Sequence, residues 1–395
     1  MTRSERLALL VLAVAQFAVV LDVTIVGVAL PVIQSDLGLA PGQLRWSTSG
    51  YALAFVCLVL LGGRLSDAVG RRRAFMAGLA LFTLASLVSG LAPDGNVLTA
   101  GRIAQGLGGA LTMPAALGIL TATFPDGPAR NRALGAWGAV GGVAAASGVV
   151  LGGVLAGSVG WEWVFFVNVP VGAAAVAAAP LALPANRPTS RPGLDLRGAA
   201  LVASGVALLA QGLGSLGDPA GTSPRALAPI AAGALLLSLF AAWERRAPDP
   251  LLPPRLVGRR TIVGANVAGA AHGATMVGVV LLASLYAQHA LGYSPLAAGL
   301  VLLVVRLASS ATASLAGRMA TWSGARALIV TGLGLMTLGL GLVAARGGET
   351  SLVWGLLLPL VVAGAGVGLA FVAVKAAALR CVPGADGSVA SALLV

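Results

Sequence analysis

Charged side chains are scarce in this chain: they make up 10% of its 395 residues, against 58% apolar ones, and its mean hydropathy is +0.94. A soluble domain carries roughly 25% charged residues. Too few polar groups remain to coat a soluble globule, so the solvent for this chain is a lipid bilayer. Cysteine is nearly absent. Cys57 falls in an apolar run and Cys381 in a polar break; neither has metal-ligand spacing, and the pair predicts no disulfide. Lysine is rarer still: Lys375 stands alone among 25 basic residues, which reads as base bias in the gene rather than function. Also missing is a basic face interleaved with aromatics. The net charge of +12 is spread over short polar breaks and does not point to nucleic acid. Catalytic signatures are absent too. No Ser-His-Asp set, metal cluster or nucleotide motif is visible; GLGGAL (Gly106 to Leu111) touches on a phosphate loop but lacks the preceding strand and the Lys. These absences disfavour an enzyme and imply no cofactor.

What is present is a series of apolar windows of about 18–25 residues, each long enough to cross roughly 30 Å of hydrocarbon. Backbone groups in hydrocarbon must bond within their own segment, so the spans are helices. Twelve fall near 7–30, 44–63, 74–92, 97–121, 132–157, 163–183, 196–216, 225–243, 262–288, 295–316, 326–345 and 352–374. Arg3 and Arg6 before the first run, and Ala13-Val14-Ala15 inside it, imitate a signal peptide, but the run continues to Pro31 and many spans follow. It reads as an uncleaved first helix. With the N-terminus inside, twenty basic residues, among them Arg64, Arg71, Arg130, Arg245, Arg318 and Lys375, fall on the inner side. Only Arg45, Arg225 and Arg346 fall on the outer. That asymmetry predicts a multi-pass protein with a cytoplasmic N-terminus.

GGRLSDAVGRRR (Gly62 to Arg73) joins spans two and three, and AGRMATWSGAR (Ala316 to Arg326) repeats its frame, eroded, between spans ten and eleven. A repeated polar connector between spans marks two related helix bundles, the usual build of secondary transporters. If the copies are equivalent, span nine begins the second bundle and spans seven and eight are an insertion. The Pro- and Arg-rich segments Pro184 to Arg197 and Glu244 to Arg260 bracket that insertion. The expected organisation is all-α and polytopic. A six-helix bundle covers 1–183, two inserted helices with flanking loops cover 184–260, and a partial bundle of four helices plus the start of a fifth covers 261–395. After the turn Gly384-Ala385-Asp386-Gly387, the run SVASALLV (Ser388 to Val395) reaches only about 12 Å at 1.5 Å per residue. The final helices are therefore expected to be missing from this chain.

Asp22 is the only acid deep in a span, at a cost of roughly 2.5–3.5 kcal/mol on insertion scales. It lies about 12 Å below the outer end of span one, and Arg102 about 8 Å below the same end of span four, so the two can pair. An acid that can lose its partner can exchange a proton. A fixed ion pair that only orients the bundle is the other reading, and both stay open.

LDVTIVGVALP (Leu21 to Pro31) resembles the first-helix signature of the fourteen-helix drug:proton antiporter branch of the major facilitator superfamily, with Gly27 where the signature usually has Asn. GGRLSDAVGRRR resembles the superfamily's motif between helices 2 and 3, RIAQGLGGA (Arg102 to Ala110) its helix-4 motif, and GVVLGG (Gly148 to Gly153) its helix-5 antiporter motif. WEWVFFVNVPVG (Trp161 to Gly172), LDLRGA (Leu194 to Ala199) and HALGYSPLAAGL (His289 to Leu300) are similar to further segments of the branch. The resemblance implies the major facilitator fold and a proton-coupled exporter of amphipathic or cationic small molecules in the bacterial inner membrane. Its partners would be the substrate, protons and lipid.

The resemblance also assigns roles. Arg102 would act with Asp22 in proton transfer. Gly63, Asp67, Gly70, Arg71 and Arg72 would form a cytoplasmic latch of the outward-facing state; Ala68 replaces the usual basic residue, so one contact is missing. A plain positive-inside anchor would account for the arginines but not for Asp67 and the glycines. Gly148, Gly152 and Gly153 let helices touch and slide, or simply pack. Val149 stands where a proline normally kinks helix 5, and Val304 where one is common in helix 10. Gln105 and Trp137 are candidate cavity residues, and so are His272 and Arg306, which lie near the midplane of spans nine and ten and are not expected from the family pattern. A bond to a neighbouring carbonyl is the plainer reading of His272. Arg306 would bind an anionic substrate group, pair with a carboxylate of the missing helices, or be tolerated drift in a damaged gene. Trp161 and Trp163 read as membrane-interface anchors. Two rivals remain: an uptake carrier of the same fold, and a truncated membrane protein that transports nothing.

Overall fold

The computed structural model describes residues 2–185, 193, 195–215, 224–252, 260–293, 295–345, 352–379 and 392. Among them are twelve helices long and apolar enough to cross a membrane. In chain order they are α1 (Arg3–Asp36), α2 (Pro41–Val69), α3 (Arg71–Gly90), α4 (Gly95–Thr123), α5 (Pro128–Ser158) and α6 (Trp163–Ala182). There follow α7 (Leu196–Ser215), α8 (Pro224–Glu244), α9 (Arg260–Leu285), α10 (Pro295–Met319), α11 (Gly324–Ala345) and α12 (Leu358–Leu379). A π-turn, Tyr286–Ala290, ends α9, and another, Val353–Leu357, leads into α12. No strand occurs among the described residues. Several segments singled out in the sequence fall outside them, including 186–192 and 253–259 of the two Pro- and Arg-rich loops, Arg346, Cys381, the turn at 384–387 and all of Ser388 to Val395 except Ala392.

Local chemistry sets the helix ends. Thr2 and Glu5 form a capping box: the Glu5 carboxylate accepts from the Thr2 backbone at 2.8 Å, and the Thr2 hydroxyl accepts from the Glu5 backbone at 3.2 Å. Asp94 caps α4 through the N–H groups of Asn96 (2.7 Å) and Val97 (3.0 Å). Between α2 and α3 the chain reverses at Gly70, whose φ of 99° a side chain would resist. Although Val149 removes the expected proline, α5 also has none elsewhere in its interior and runs unbroken through 31 residues.

Small residues bring the helices together. Gly148 and Gly152 of α5 lie against Thr24, Ile25 and Val28 of α1, where any side chain would collide. Gly153 is half-buried. Both α2 and α3 pack on α4, and both α10 and α11 pack on α12. The second arrangement repeats the first in detail. A side chain at Gly108 would meet Gly78 and Phe82; one at Gly366 would meet Gly332 and Met336. Gly106 presses on the Tyr51 carbonyl of α2, and Gly364 on the Val305 carbonyl of α10. Across the middle, α5 packs along α10: Gly135 faces Ala313 and Gly317, Gly142 faces Ser310, and the Ser310 hydroxyl donates to the Ala139 carbonyl at 2.7 Å. At the same end Arg130 reaches the Leu379 carbonyl of α12 at 3.4 Å.

Helices α7 and α8 pair with each other, and α7 seats on α2. Cys57 lies in α2, as expected of a span residue, and its thiol donates to the Ala203 carbonyl at 3.2 Å. Arg64, at the foot of α2, donates to the carbonyls of Pro250 and Leu251. Glu244 accepts from the backbone of Leu251 (3.0 Å) and Leu252 (2.9 Å), folding the end of α8 onto that arginine.

Two expectations need correction. Lys375, assigned to an inner loop by the end of an apolar window, lies inside α12 and is buried at 5% exposure. Trp161, expected at the membrane interface, is buried, and its indole donates to Asp36 at 2.7 Å. Trp163 is exposed.

Candidate functional site

Asp22 sits on the inward face of α1 with no exposed surface. A lone carboxylate there would be costly, and it is not alone. Arg102 of α4 reaches its Oδ2 at 2.5 Å. Its Oδ1 accepts from the Gln105 amide of α4 at 2.8 Å and from the Asn168 amide of α6 at 3.0 Å. Gln105 is held in turn: its amide also donates to the Ser86 hydroxyl of α3 (2.8 Å), and its carbonyl accepts from Arg102 (2.8 Å). Three helices therefore meet at one carboxylate, and α3 backs the network through Ser86. The predicted Asp22–Arg102 pair is present. Gln105 is not a cavity residue as expected, because α4 turns it toward Asp22. Asn168 and Ser86 were missed; the available signal was that each is a polar residue within an apolar run.

Tyr51 of α2 was missed as well. Its ring lies 4.5 Å beneath the Arg102 guanidinium and stacks on Phe55 with centroids 6.2 Å apart. It also lines a cavity of ≈ 790 Å³ enclosed mainly by α1, α2, α5, α9, α10 and α12. Of the predicted cavity residues, Trp137, His272 and Arg306 all line it. So does Lys375, the only lysine of the chain. The Trp137 and Phe371 rings stack at 6.4 Å, with the Lys375 ammonium 5.6 Å from the first and 4.7 Å from the second. His272 leans on Phe371 at 6.3 Å. The carbonyl bond expected for His272 is not made by Nδ1, which finds no partner among the described residues.

At the connector, Arg71 donates to the Asp67 carboxylate at 3.0 Å and to the Gly118 carbonyl of α4 at 3.1 Å. This ties the foot of α2, the start of α3 and α4 into one unit. Arg72 extends it to α6 through the carbonyls of Pro180 and Leu183, both at 3.4 Å. Gly63 is buried and Gly70 makes the turn. Among the described residues no group of His, Cys, Asp and Glu could hold a metal.

Comparison with known proteins places these features in context. The profile of the Major Facilitator Superfamily matches residues 12–395. A cephamycin export protein of Amycolatopsis lactamdurans is 43% identical over 316 residues, which are 78% of this chain and 65% of that protein. A puromycin resistance protein of Streptomyces alboniger is 38% identical over 327 residues, 82% of this chain and 65% of that protein. The chain thus spans slightly less than two thirds of these relatives. Among solved structures, a proton:xylose symporter superposes with a TM-score of 0.69 at 14% identity, covering 99% of this chain and 86% of that one. That likeness concerns the fold alone.

Proposed function

This chain belongs to the major facilitator superfamily, and from that premise we propose that it is a secondary transporter exporting amphipathic small molecules from a bacterial cell in exchange for protons. The observation that carries the reading is the buried Asp22 carboxylate, held by three side-chain donors from two other helices. Each of those bonds is made to the ionised oxygens, so a proton arriving on Asp22 weakens all of them together. Arg102 and the helices that follow it are then released. This is the two-state element that alternating access needs. Export as the direction is supported by the names of the relatives, one an export protein and one a resistance protein.

The fourteen-helix branch, with α7 and α8 inserted between bundles over 184–260, is supported by the repeated packing. Gly78, Phe82 and Gly108 correspond to Gly332, Met336 and Gly366, which makes α11 the counterpart of α3. Helix α9 then begins the second bundle at 261, and the first ends at 183. The excess of arginine at the connector end supports a cytoplasmic N-terminus in the inner membrane. At that end Gly135, Ala313 and Gly317 close α5 on α10. This supports a state shut toward the cytoplasm, with the Asp67–Arg71 unit as part of the latch.

The test is Asp22→Asn in cells and in inverted membrane vesicles, against a panel of lipophilic cations and antibiotics. Proton-driven efflux should vanish while the protein stays in the membrane. Undiminished proton-driven efflux by this variant would remove the coupling role.

A further inference from the structure

The second connector lacks the contacts that satisfy the first. Counted in the same frame, Gly317, Arg318, Thr321, Gly324 and Ala325 stand where the first copy has Gly63, Arg64, Asp67, Gly70 and Arg71. The backbone agrees, since Gly324 turns at a φ of 75° where Gly70 turns at 99°. In the first copy the charges at these positions are met. Arg71 binds Asp67 and the Gly118 carbonyl, and Arg64 binds the carbonyls of Pro250 and Leu251. In the second copy a threonine replaces the acid and an alanine replaces the arginine that held it. Arg318 keeps its charge, and its guanidinium has no hydrogen bond or carboxylate among the described residues.

Arg318 instead shares a pocket with a second arginine. Arg132, in the first turns of α5, and Arg318, at the end of α10, line a space of ≈ 620 Å³ together with Thr321, Trp322 and Ser323. None of the described lining residues is Asp or Glu. Arg132 bonds only the Pro128 carbonyl of its own helix, at 3.2 Å, and nearby Asp126 is already paired with Arg130. The pocket lies where α5 closes on α10 through Gly135 and Gly317, so the two like charges come from opposite sides of that seam. Like charges in one pocket repel, and an anion between them replaces repulsion with two attractions. A phosphate suits the place, because its oxygens match the fork of a guanidinium. The general excess of arginine at this end does not account for two of them, without acids, facing one space across a seam.

The surroundings point to lipid as the source of that phosphate. Trp322 stands clear of the protein beside the pocket at 90% exposure, as an indole does at headgroup level. Met319 and Leu315 follow it, exposed, along the same side of α10 and offer an apolar track for an acyl chain. A basic pocket between helices with such a track beside it fits a phospholipid. We propose that this pocket binds the phosphate headgroup of an anionic phospholipid, which bridges Arg132 to Arg318 and ties α5 to α10 at the connector end. Bound lipid then favours the state closed at this end, so the anionic lipid content of the membrane sets how readily the two halves part. The site shares no residue with the Asp22 network or the central cavity, and its occupancy is read without any transport.

The test uses the purified protein in phosphatidylcholine nanodiscs with rising fractions of brominated phosphatidylglycerol or, in parallel, brominated phosphatidylcholine. Bromine quenches a nearby indole, and the emission of Trp322 is the difference between each protein and its Trp322→Phe version. Phosphatidylglycerol should quench wild type at a lower lipid fraction than phosphatidylcholine does. Arg132→Gln and Arg318→Gln should each raise the fraction needed for half-quenching by about 5-fold, the scale of one basic residue at an anionic membrane surface. Arg132→Lys and Arg318→Lys, which keep the charges, should retain most of the preference, separating loss of charge from misfolding. Unbrominated phosphatidylglycerol should raise the unfolding midpoint of wild type but not that of the double glutamine variant. Asp22→Asn should behave as wild type in both measurements, so a failure of the proton reading leaves this result untouched. Equal quenching by the two lipids, half-quenching unchanged in both glutamine variants, or a midpoint that rises equally in wild type and the double variant would overturn the proposal. So would loss of the phosphatidylglycerol signal on adding inorganic phosphate but not chloride at the same ionic strength, which would assign the pocket to a soluble phosphate.

Discussion

The Tyr51 ring separates the Arg102 guanidinium from the central cavity: it lies 4.5 Å beneath the charge and forms part of the cavity wall. One aromatic side chain is thus the partition between the buried carboxylate network and the central cavity. An aromatic ring suits that position, since its face attracts the cation while its bulk excludes water.

Tyr51→Ala should open that partition. The variant loses a cation–π contact of about 0.5–2 kcal/mol and the stack on Phe55. Water can then reach Asp22 without cargo in place. In proteoliposomes loaded with a pH-sensitive dye, the variant should leak protons in the absence of substrate, whereas Tyr51→Phe should not. Equal tightness of wild type and Tyr51→Ala would show that the ring is only packing.

Removing one member of the Asp22–Arg102 pair should be worse than removing both. Asp22→Asn leaves a buried guanidinium without its countercharge, a loss of about 3–5 kcal/mol. Asp22→Asn with Arg102→Gln leaves only neutral amides and should recover much of the thermal stability, though not the proton coupling. A double variant no more stable than Asp22→Asn alone would mean that the pair is not the source of the penalty.

The close contact of α1 and α5 can be tested within one helix. Gly148→Ala drives a methyl into Thr24 and should cost about 1–3 kcal/mol. Gly157→Ala meets nothing within 4 Å and should be neutral or add up to about 1 kcal/mol of helix propensity. Unfolding midpoints in detergent measure both, and equal midpoints would remove the packing argument.

The twelve spans were legible in the sequence because hydropathy is a local property and bilayer thickness fixes the length. The Asp22–Arg102 pair was legible for a similar reason: counting residues gives depth in a membrane helix. Rotation about the helix axis is not given by counting. Gln105 was therefore taken for a cavity residue although packing turns it toward Asp22, and Asn168 and Ser86 were passed over. Lys375 was misread because the hydropathy window ended at 374 while α12 continues to Leu379. The docking of α7 and α8 was illegible for another reason. Arg64 binds the carbonyls of Pro250 and Leu251, and backbone carbonyls carry no sequence signature.

That docking leads to the last prediction. Helices α7 and α8 are fixed to α2 at both depths available to them. Cys57 bonds to Ala203 in the span, while Arg64 and Glu244 meet through the 250–252 segment at its foot. A helix pair held at two levels moves with the helix that holds it. The pair should therefore travel with α2 when the halves of the molecule rock, and a cross-link between them should be harmless. Ala203→Cys puts a second thiol on the α7 residue whose carbonyl meets Cys57, and a reducible bifunctional thiol reagent can join the two. Cross-linked protein should retain its transport rate, and the cross-link should form equally with and without substrate. A rate that falls on cross-linking and returns on reduction would mean that α7 and α8 slide against α2 during turnover.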